Sequence, residues 1–356
     1  MKLTDNSRFI LNQRYLLKNE NGDIIETPIQ LFRRVAKVIS EVEGKYGKSK
    51  QEIKRFENEI YKVMINFEFL PNSPTLMNAG TPLGQLSACF ALPVEDDITK
   101  IFESIKQTAI IQKSGGGTGF NFSHIRPKDD YVKSTGGVAS GPLSFMDVFN
   151  AATEVIKQGG KRRGANMGIL RIEHPDIMDF IVVKEKEGKL TNFNLSVAIT
   201  DKFMKAVEKD GDFELINPRT NKVCRTIKAK VLWNQLCLMS WKNGEPSVIF
   251  IDTINKGNTL PEVGMLETTN PCGELPLLNF ESCNLGSINI SKFLKKGNGI
   301  DWIKLRNIIR LSVKFLDNVI DANKFPLPEI KQMTESNRKI GLGIMGFADL
   351  LLQMGI

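Results

Sequence analysis

Apolar residues recur at helical spacing in the first part of the chain. Thr27-Pro28 precedes this stripe and Gln30 follows three residues after Thr27, the arrangement of a capping box with proline in the first helical turn. The apolar positions are Leu31, Phe32, Val35, Val38, Ile39 and Val42. The pattern predicts a core-facing helix over 27–43, within an N-terminal helical domain that we assign to residues 1–70.

From residue 71 to 356, short apolar segments alternate with amphipathic ones. The predicted strands are SACFALPV, TGFNFSHIRP, MGILRI, NLSVAI and SVIFI, with a hairpin at FELINPRTNKVCRTI. The predicted helices begin at Thr99 and at Ser144, where Asp147 completes a second capping box, and continue at 176–186, 201–209, 233–241, 302–321 and 329–336. The segment IGLGIMGF is expected to be a glycine-rich turn. This alternation predicts an α/β fold, either a barrel or a doubly wound sheet.

Composition places the chain among globular proteins. It has 356 residues, of which 41% are hydrophobic and 25% are charged, as in ordinary globular domains. The N-terminal segment lacks the apolar core of a signal peptide, and no stretch is long and apolar enough for a membrane span. We therefore expect a cytoplasmic protein. The net charge of +8 raises the alternative of nucleic-acid binding, but lysine and glutamate intermix along the predicted helices, which favours a solvated surface.

The five cysteines, Cys89, Cys224, Cys237, Cys272 and Cys283, are irregularly spaced. An odd number at wide spacing does not indicate a disulfide framework, and the absence of a CxxC motif argues against a zinc site. Cys224 falls in the predicted hairpin and Cys237 in an amphipathic helix, so both are expected to pack in the core. His124 and His174, each beside a proline-containing turn, are expected to have structural roles.

Two glycine-rich segments each admit two interpretations. SGGGTGF lacks the lysine of a P-loop and follows a predicted helix, so it is either a helix cap with a tight turn or a backbone site for an anion. KQGGKRRGAN is either a solvated loop or a clamp for an anion, with Lys161, Arg162 and Arg163 supplying positive charge. The local sequence leaves both pairs of alternatives open.

The segment NPCGE is unusual because it places a cysteine between proline and glycine. A turn of this kind presents the Cys272 side chain through backbone constraint. Glu274 could act as an acid or base, and Asn270 could orient a hydroxyl group. A turn that carries a thiol by chance is the alternative.

Six segments occur in the order found in ribonucleotide reductase catalytic subunits: FLPNSPTLMNAG, QLSACFALPV, KSGGGTGFNFS, KQGGKRRGANMGIL, NPCGELPLL and ESCNLGSINI. The chain resembles that family over nearly its whole length. The ENGDIIETPIQLFRRVA segment and the GGGTGF form resemble the adenosylcobalamin-dependent (class II) group. The resemblance implies a ten-stranded α/β barrel with a central finger loop, preceded by a helical domain. Family chains are longer, so we expect this sequence to be the front part of the enzyme and to need a complementing C-terminal chain.

The resemblance also implies roles for individual residues. Cys272 matches the thiyl-radical cysteine at the tip of the finger loop, Glu274 the carboxylate that takes the 3′-hydroxyl proton, and Asn270 an amide that hydrogen-bonds the substrate. Cys89 and Cys283 match the dithiol that reduces the 2′ position and ends as a disulfide. Two thiols can deliver two electrons in this way.

Further matches concern substrate and effector nucleotides. Ser73, Ala88 and Gly117 match positions that hold the substrate, where Ala88 would act through its backbone. The positions that match contacts of a deoxynucleoside triphosphate effector at a dimer interface are Asp96, Arg126, Gln158, Lys161, Arg162 and Arg163. The last four lie in the segment 157–166, called here the relay loop, which matches the loop that relays effector identity to substrate choice.

The resemblance implies ribonucleotide reduction for DNA synthesis and repair, with adenosylcobalamin as the radical source. It further implies a homodimer and a thioredoxin- or glutaredoxin-type reductant. Two alternatives stay open at this point: a class I large subunit with an iron-containing radical partner, and a catalytically incomplete fragment that binds nucleotides or nucleic acid.

Overall fold

A computed structural model describes residues 3–133, 136–158, 162–295, 297 and 299–356. Its α-helices are α1 (Asp5–Ile10), α2 (Pro28–Glu41), α3 (Lys50–Ile65), α4 (Ser73–Asn78), α5 (Ile98–Lys113), α6 (Gly141–Val155), α7 (Ile177–Val182), α8 (Asp201–Glu208), α9 (Ala229–Asn243), α10 (Ile251–Lys256), α11 (Trp302–Ala322), α12 (Pro328–Asn337) and α13 (Phe347–Gln353). A π-helical turn spans Leu11–Tyr15, and 3₁₀ turns span Val42–Tyr46 and Ile290–Phe293.

The strands are β1 (Phe69–Pro71), β2 (Cys89–Ala91), β3 (Gly117–Asn121), β4 (Tyr131–Val132), β5 (Gly137–Val138), β6 (Lys157–Gln158), β7 (Arg162–Arg163), β8 (Asn166–Arg171), β9 (Phe193–Ile199), β10 (Asp212–Asn217), β11 (Lys222–Lys228), β12 (Ser247–Phe250), β13 (Thr268–Thr269), β14 (Pro276–Leu277), β15 (Ser282–Asn289) and β16 (Ile340–Met345). The chain divides into two compact units, one formed by residues 1–88 with 282–356 and the other by residues 89–281.

The first unit is built around helices α2, α3 and α11. The predicted capping box is confirmed: Thr27 Oγ1 accepts the Gln30 N–H at 3.3 Å, and Gln30 Oε1 accepts the Thr27 N–H at 2.8 Å. The apolar stripe of α2 faces inward as predicted, and its members Leu31, Val35 and Ile39 are fully buried. Burying such a stripe is the main contribution to the stability of a helix in a globular unit.

Three paired strands, β1, β15 and β16, complete this unit. β1 runs antiparallel to β15, and β15 runs parallel to β16 with Asn284 opposite Ile340. The prediction of a turn at IGLGIMGF was wrong, because residues 340–345 form β16. Its glycines permit close packing: a Cβ at Gly341 would overlap the Leu285 side chain on the neighbouring strand. The glycines therefore make room for a strand instead of ending one.

The second unit contains a parallel sheet in the order β2-β3-β8-β9-β12. The strands alternate with helices along the chain, so the predicted α/β class is confirmed. The side chains of Phe120, Phe122, Phe149 and Phe193 form a buried aromatic cluster with ring centroids 4.8–6.4 Å apart. Such contacts add to the free energy gained from burial alone.

Two local predictions in this unit were wrong. Helix α6 begins at Gly141, three residues before the predicted capping box, because Pro142 occupies the first turn; Ser144 Oγ instead donates to the Ser140 carbonyl at 3.0 Å. Cys224 and Cys237 are exposed, because the inward faces of their elements are filled by other side chains, such as Leu236 on α9.

Within the described ranges, no helix has both the length and the apolar character needed to cross a membrane.

Candidate active site

A short hairpin carries Cys272. Strands β13 and β14 pair antiparallel, and Asn270 closes the connection between them. The Asn270 N–H donates to the Leu275 carbonyl at 3.2 Å, and Asn270 Oδ1 accepts the Leu275 N–H at 3.1 Å. The Gly273 N–H donates to the Asn270 carbonyl at 3.0 Å. The buried side chain of Asn270 therefore fixes the shape of the turn.

The tip of this turn exposes the thiol. Cys272 is exposed, whereas the preceding Pro271 is buried. Gly273 has φ +83°, a value that glycine adopts without the steric cost that a side chain would add. On one flank, Asn194 Nδ2 donates to the Pro271 carbonyl at 2.6 Å. The turn thus presents one sulfur atom while its neighbour is held firmly.

Strand β3 supports the other flank of the hairpin through two glycines. A Cβ at Gly117 would lie 2.7 Å from Pro271 Cγ, and a Cβ at Gly119 would overlap the Thr269 carbonyl oxygen. Residues two apart on a strand face the same side, so both glycines admit the hairpin. In SGGGTGF, the helix-cap interpretation holds for the first part, because the Gly115 N–H donates to the Gln112 carbonyl at 3.0 Å.

The structure brings two further predicted site residues together. Cys89 lies in β2 opposite Gly117 of β3 and is 4% exposed. Asn270 Nδ2 approaches Cys89 Sγ at 3.2 Å. Glu274 is exposed and lies two residues after Cys272 on the same turn. Of the predicted catalytic set, Cys89, Asn270, Cys272 and Glu274 belong to this unit.

Three other predicted site residues, Ser73, Ala88 and Cys283, belong to the first unit. Cys283 is fully buried in β15, and its backbone carbonyl accepts the Ala88 N–H at 3.1 Å. Ser73 is the first residue of α4, and its hydroxyl lies 2.7 Å from the Tyr15 hydroxyl. Cys283 and Ala88 are thus joined through their backbones.

Sequence reasoning missed Asn194 and Gly119. The signal for Gly119 was the spacing of two between Gly117 and Gly119 in a predicted strand, which places both on one face. For Asn194, the exposed second position of β9, no local signal identifies the carbonyl that it binds, since Pro271 is 77 residues away in sequence.

Asp96 and Arg126 both line a cavity of about 420 Å³. Arg126 Nε donates to Asp96 Oδ2 at 2.8 Å, and the Arg126 N–H donates to Asp96 Oδ1 at 3.2 Å. The beginnings of α5 and α6 form part of its wall, with Ile101 and Phe145 as apolar lining. We call this space the nucleotide cavity, because Asp96 and Arg126 are two of the residues for which the sequence predicts effector contacts.

Part of the relay loop lies in a short ladder. The backbones of β6 and β7 pair antiparallel, with Gln158 opposite Arg162 and Lys157 opposite Arg163. Lys161 lies outside the described residues.

The two histidines have different environments. His174 is 2% exposed; its Nε2 bonds the Ile125 carbonyl at 2.9 Å, and its Nδ1 accepts the Asp176 N–H at 3.1 Å. This confirms a structural role for His174. His124 has an exposed ring whose Nε2 lies 3.0 Å from Glu267 Oε2, and Glu267 directly precedes the hairpin that carries Cys272.

We expect the two histidines to titrate on opposite sides of the ordinary histidine pKa. The hydrogen bond to Glu267 raises the pKa of His124, whereas burial lowers the pKa of His174. The His124–Glu267 contact therefore stabilises the folded protein fully below about pH 6.5, the ordinary histidine pKa. This stabilisation is lost as the pH rises through the raised pKa of His124. A two-dimensional NMR titration of the imidazole signals measures both values. Glu267→Gln should lower the pKa of His124 alone, and coincident titration curves in the native protein would contradict this assignment.

Within the described part of the chain, no three His, Cys, Asp or Glu side chains are grouped so that they could hold a metal ion.

Two family models together match nearly the whole chain. Residues 1–84 match the family model described as ribonucleotide reductase, all-alpha domain, and residues 87–356 match the one described as ribonucleotide reductase, barrel domain. The chain belongs to the ribonucleotide reductase family. The predicted fold, a helical domain followed by part of the reductase barrel, is therefore confirmed.

Several curated relatives of this chain are named for their cofactor. It is 50% identical to a vitamin B12-dependent ribonucleoside-diphosphate reductase from Thermoplasma acidophilum, a match that covers all of this chain and 53% of the relative. It is 46% identical to a protein of the same name from Mycobacterium tuberculosis, covering all of this chain and 51% of the relative. A ribonucleoside-diphosphate reductase subunit alpha from Chlamydia pneumoniae is 31% identical over 83% of this chain and 32% of its own length. The chain thus spans about half the length of its most similar relatives named here.

Proposed function

We propose that this chain takes part in the reduction of ribonucleoside diphosphates to deoxyribonucleotides through a thiyl radical on Cys272. The observation that carries the proposal is the Cys272 turn: one exposed thiol on a turn fixed by Asn270, whose amide also approaches the Cys89 sulfur at 3.2 Å. Membership in the reductase family and two relatives at 46–50% identity with that activity in their names support it.

In the proposed reaction, the Cys272 thiyl removes the 3′ hydrogen atom of the ribose. Glu274, an exposed carboxylate on the same turn, takes the proton of the 3′ hydroxyl as a general base. The 2′ hydroxyl then leaves as water with a proton from the dithiol of Cys89 and Cys283. These two thiols supply two electrons and become a disulfide. Cys272 finally returns the hydrogen atom to C3′, so the products are deoxyribonucleotide, water and one disulfide.

Substrate contacts are proposed for three further residues. Ser73 stands at the start of α4 and offers a hydroxyl beside that of Tyr15. Ala88 and Gly117 would act through their backbone groups. We propose that these positions hold the phosphate and ribose of the substrate, as the family resemblance implies.

We propose adenosylcobalamin as the cofactor. The cofactor must be able to reach the thiol that it oxidises. The Cys272 side chain meets this requirement because it is exposed. When bound, cobalamin would supply the radical that takes the hydrogen atom of the thiol. The names of the relatives at 46–50% identity favour this cofactor over an iron-containing partner protein.

An activity assay tests the proposed function. A protein that contains this sequence and spans the full length of its relatives is incubated with each ribonucleoside diphosphate, a dithiol and adenosylcobalamin. Formation of deoxyribonucleotide only when cobalamin is present is expected. Activity that requires an iron-containing subunit instead of cobalamin would agree with the proposed thiyl-radical reaction but would refute adenosylcobalamin as the cofactor. A thioredoxin- or glutaredoxin-type protein is the proposed physiological reductant, and the proposed assembly is a cytoplasmic homodimer.

We expect Cys89 and Cys283 to become linked on oxidation, while Cys272 keeps its thiol. The two residues match the redox pair of the family, and each lies buried in a strand. Mild oxidation followed by non-reducing peptide mapping measures the linkage, and the exposed Cys224 and Cys237 serve as internal controls for accessibility. A Cys272 disulfide with either partner would refute the assignment.

We also expect a deoxynucleoside triphosphate to bind in the nucleotide cavity. Arg126→Gln removes the cation that pairs with Asp96 at 2.8 Å and should weaken binding about tenfold or more, since a charged hydrogen bond contributes about 1.5–3 kcal/mol. Calorimetry with each of the four nucleotides measures this. Arg225→Gln, on the exposed strand β11, is the matched control and should bind like the native protein.

A further inference from the structure

A buried polar cluster lies next to the relay loop. Gln112 Nε2 donates to Asn166 Oδ1 at 2.7 Å and to Thr118 Oγ1 at 3.3 Å. Thr118 Oγ1 donates to Asn166 Oδ1 at 2.7 Å, and Asn166 Nδ2 donates to Thr153 Oγ1 at 2.9 Å. None of these four side chains, which we call the Gln112 cluster, is more than 2% exposed. A buried network of this kind fixes the relative positions of the elements that supply it.

Two helices connect the nucleotide cavity to the Gln112 cluster. Helix α5 begins with the cavity-lining Ile98 and carries Gln112 in its last turn, about 21 Å farther along the helix axis. Helix α6 begins with the cavity-lining Gly141 and carries Thr153 near its end. A shift of either helix on nucleotide binding is therefore transmitted to the cluster, because α-helices move as rigid elements.

On its other side, the cluster contacts the elements that support the Cys272 turn. Thr118 stands on β3 between Gly117 and Gly119, the two glycines against which the hairpin packs. The Asn166 N–H donates to the Asn192 carbonyl at 2.8 Å, just before β9, which carries the Asn194 side chain that binds Pro271. The cluster thus joins the two strands that hold the turn.

The acceptor atom of Gln112 is not used in this arrangement. Gln112 Oε1 is buried and lacks a hydrogen-bond partner among the residues that the structure describes. It faces Gly164 near the end of the relay loop, where an added Cβ would lie 2.8 Å from Oε1. A buried acceptor left without a hydrogen bond is destabilising, so a second arrangement that satisfies Oε1 would be favoured.

We propose that Gln112 is a positioning residue through which nucleotide binding reaches the Cys272 turn. In the nucleotide-bound state, Gln112 Oε1 accepts a hydrogen bond from the backbone at Gly164, while Nε2 continues to hold Asn166 and Thr118. The relay loop and the catalytic turn then respond together to the occupant of the cavity. This inference rests on the proposed function, because it takes the ligand of the cavity to be an effector nucleotide.

Hydrogen exchange with and without each of the four deoxynucleoside triphosphates tests this role. Nucleotide should slow exchange at residues 162–170 in the native protein. Gln112→Met, which keeps the length of the side chain but has no amide, should bind nucleotide within about threefold of the native Kd and lose this protection. Ser104→Ala is the matched control: Ser104 is equally buried on α5 with a hydroxyl that lacks a partner among the described residues, and the variant should keep the protection.

A second variant tests the same role if Gln112→Met does not fold. Gly164→Ala leaves Gln112 intact but crowds its amide, so the same loss of protection is expected while calorimetry still detects binding. Native-like protection in either variant, once it is folded and binds nucleotide, overturns the role of Gln112 alone. Failure of the native protein to bind any of the four nucleotides overturns both the effector site and this inference.

Discussion

Cys272→Ser should reduce ribonucleotide reduction by at least about a thousandfold, which corresponds to about 4 kcal/mol of activation free energy. The serine O–H bond is stronger than the cysteine S–H bond, so the alcohol does not yield its hydrogen atom to the cofactor radical. The fold should not change, because Cys272 is exposed and the turn is held by Asn270, Gly273 and Pro271. Formation of deoxyribonucleotide by the purified protein of full family length measures the effect.

Cys237→Ser is the matched control for this substitution. Cys237 is also exposed but stands on the outer face of α9, so its replacement should leave turnover and the melting temperature unchanged. If Cys272→Ser retained native activity while its melting temperature matched that of the control, the radical would have to reside elsewhere.

Gly119→Ala should displace the hairpin that carries Cys272 and destabilise the protein by about 2–3 kcal/mol. The new methyl group would overlap the Thr269 carbonyl oxygen, and a carbonyl in a paired strand cannot move without shifting the strand. Because a displacement of about 1 Å can reduce a rate about a hundredfold, activity should fall by roughly that factor. Chemical denaturation and the same turnover assay measure the two effects.

Gly264→Ala is the matched control, because it also replaces a glycine but does not crowd a neighbouring backbone. A Cβ at Gly264 would meet Leu278 Cδ2 at 3.5 Å, an ordinary contact, so its stability should change by no more than about 0.5 kcal/mol. Equal behaviour of the two alanine variants would show that β3 does not support the hairpin as described.

Much of the candidate site was predictable because its signals are local. The Pro-Cys-Gly turn, the capping box at Thr27 and the short apolar segments that became β3, β8 and β9 depend on neighbouring residues alone. The order of the motifs predicted the family, and with it the assignment of Cys272, Asn270 and Glu274. These features need no knowledge of which distant segments meet.

Other parts of the site depend on strand register and on contacts between distant segments. Asp96 and Arg126 stand 30 residues apart in sequence and Asn194 lies 77 residues from Pro271, so no local pattern could pair them. The same reason explains the misjudged IGLGIMGF segment, where the missing side chain of Gly341 matters only because the Leu285 side chain lies against it.

The sequence by itself determined most of the longer helices and strands, the cysteine in a constrained turn and the membership of the family, because propensity, periodicity and motif order are properties of the chain. Only the tertiary structure decided that Asn270 spans from the Cys272 turn to Cys89, that Gly117 and Gly119 admit the hairpin, and that a buried amide at Gln112 lies between the nucleotide cavity and the turn. The physical reason is that these contacts arise from packing between segments 54 to 181 residues apart, whose positions are fixed by the whole fold.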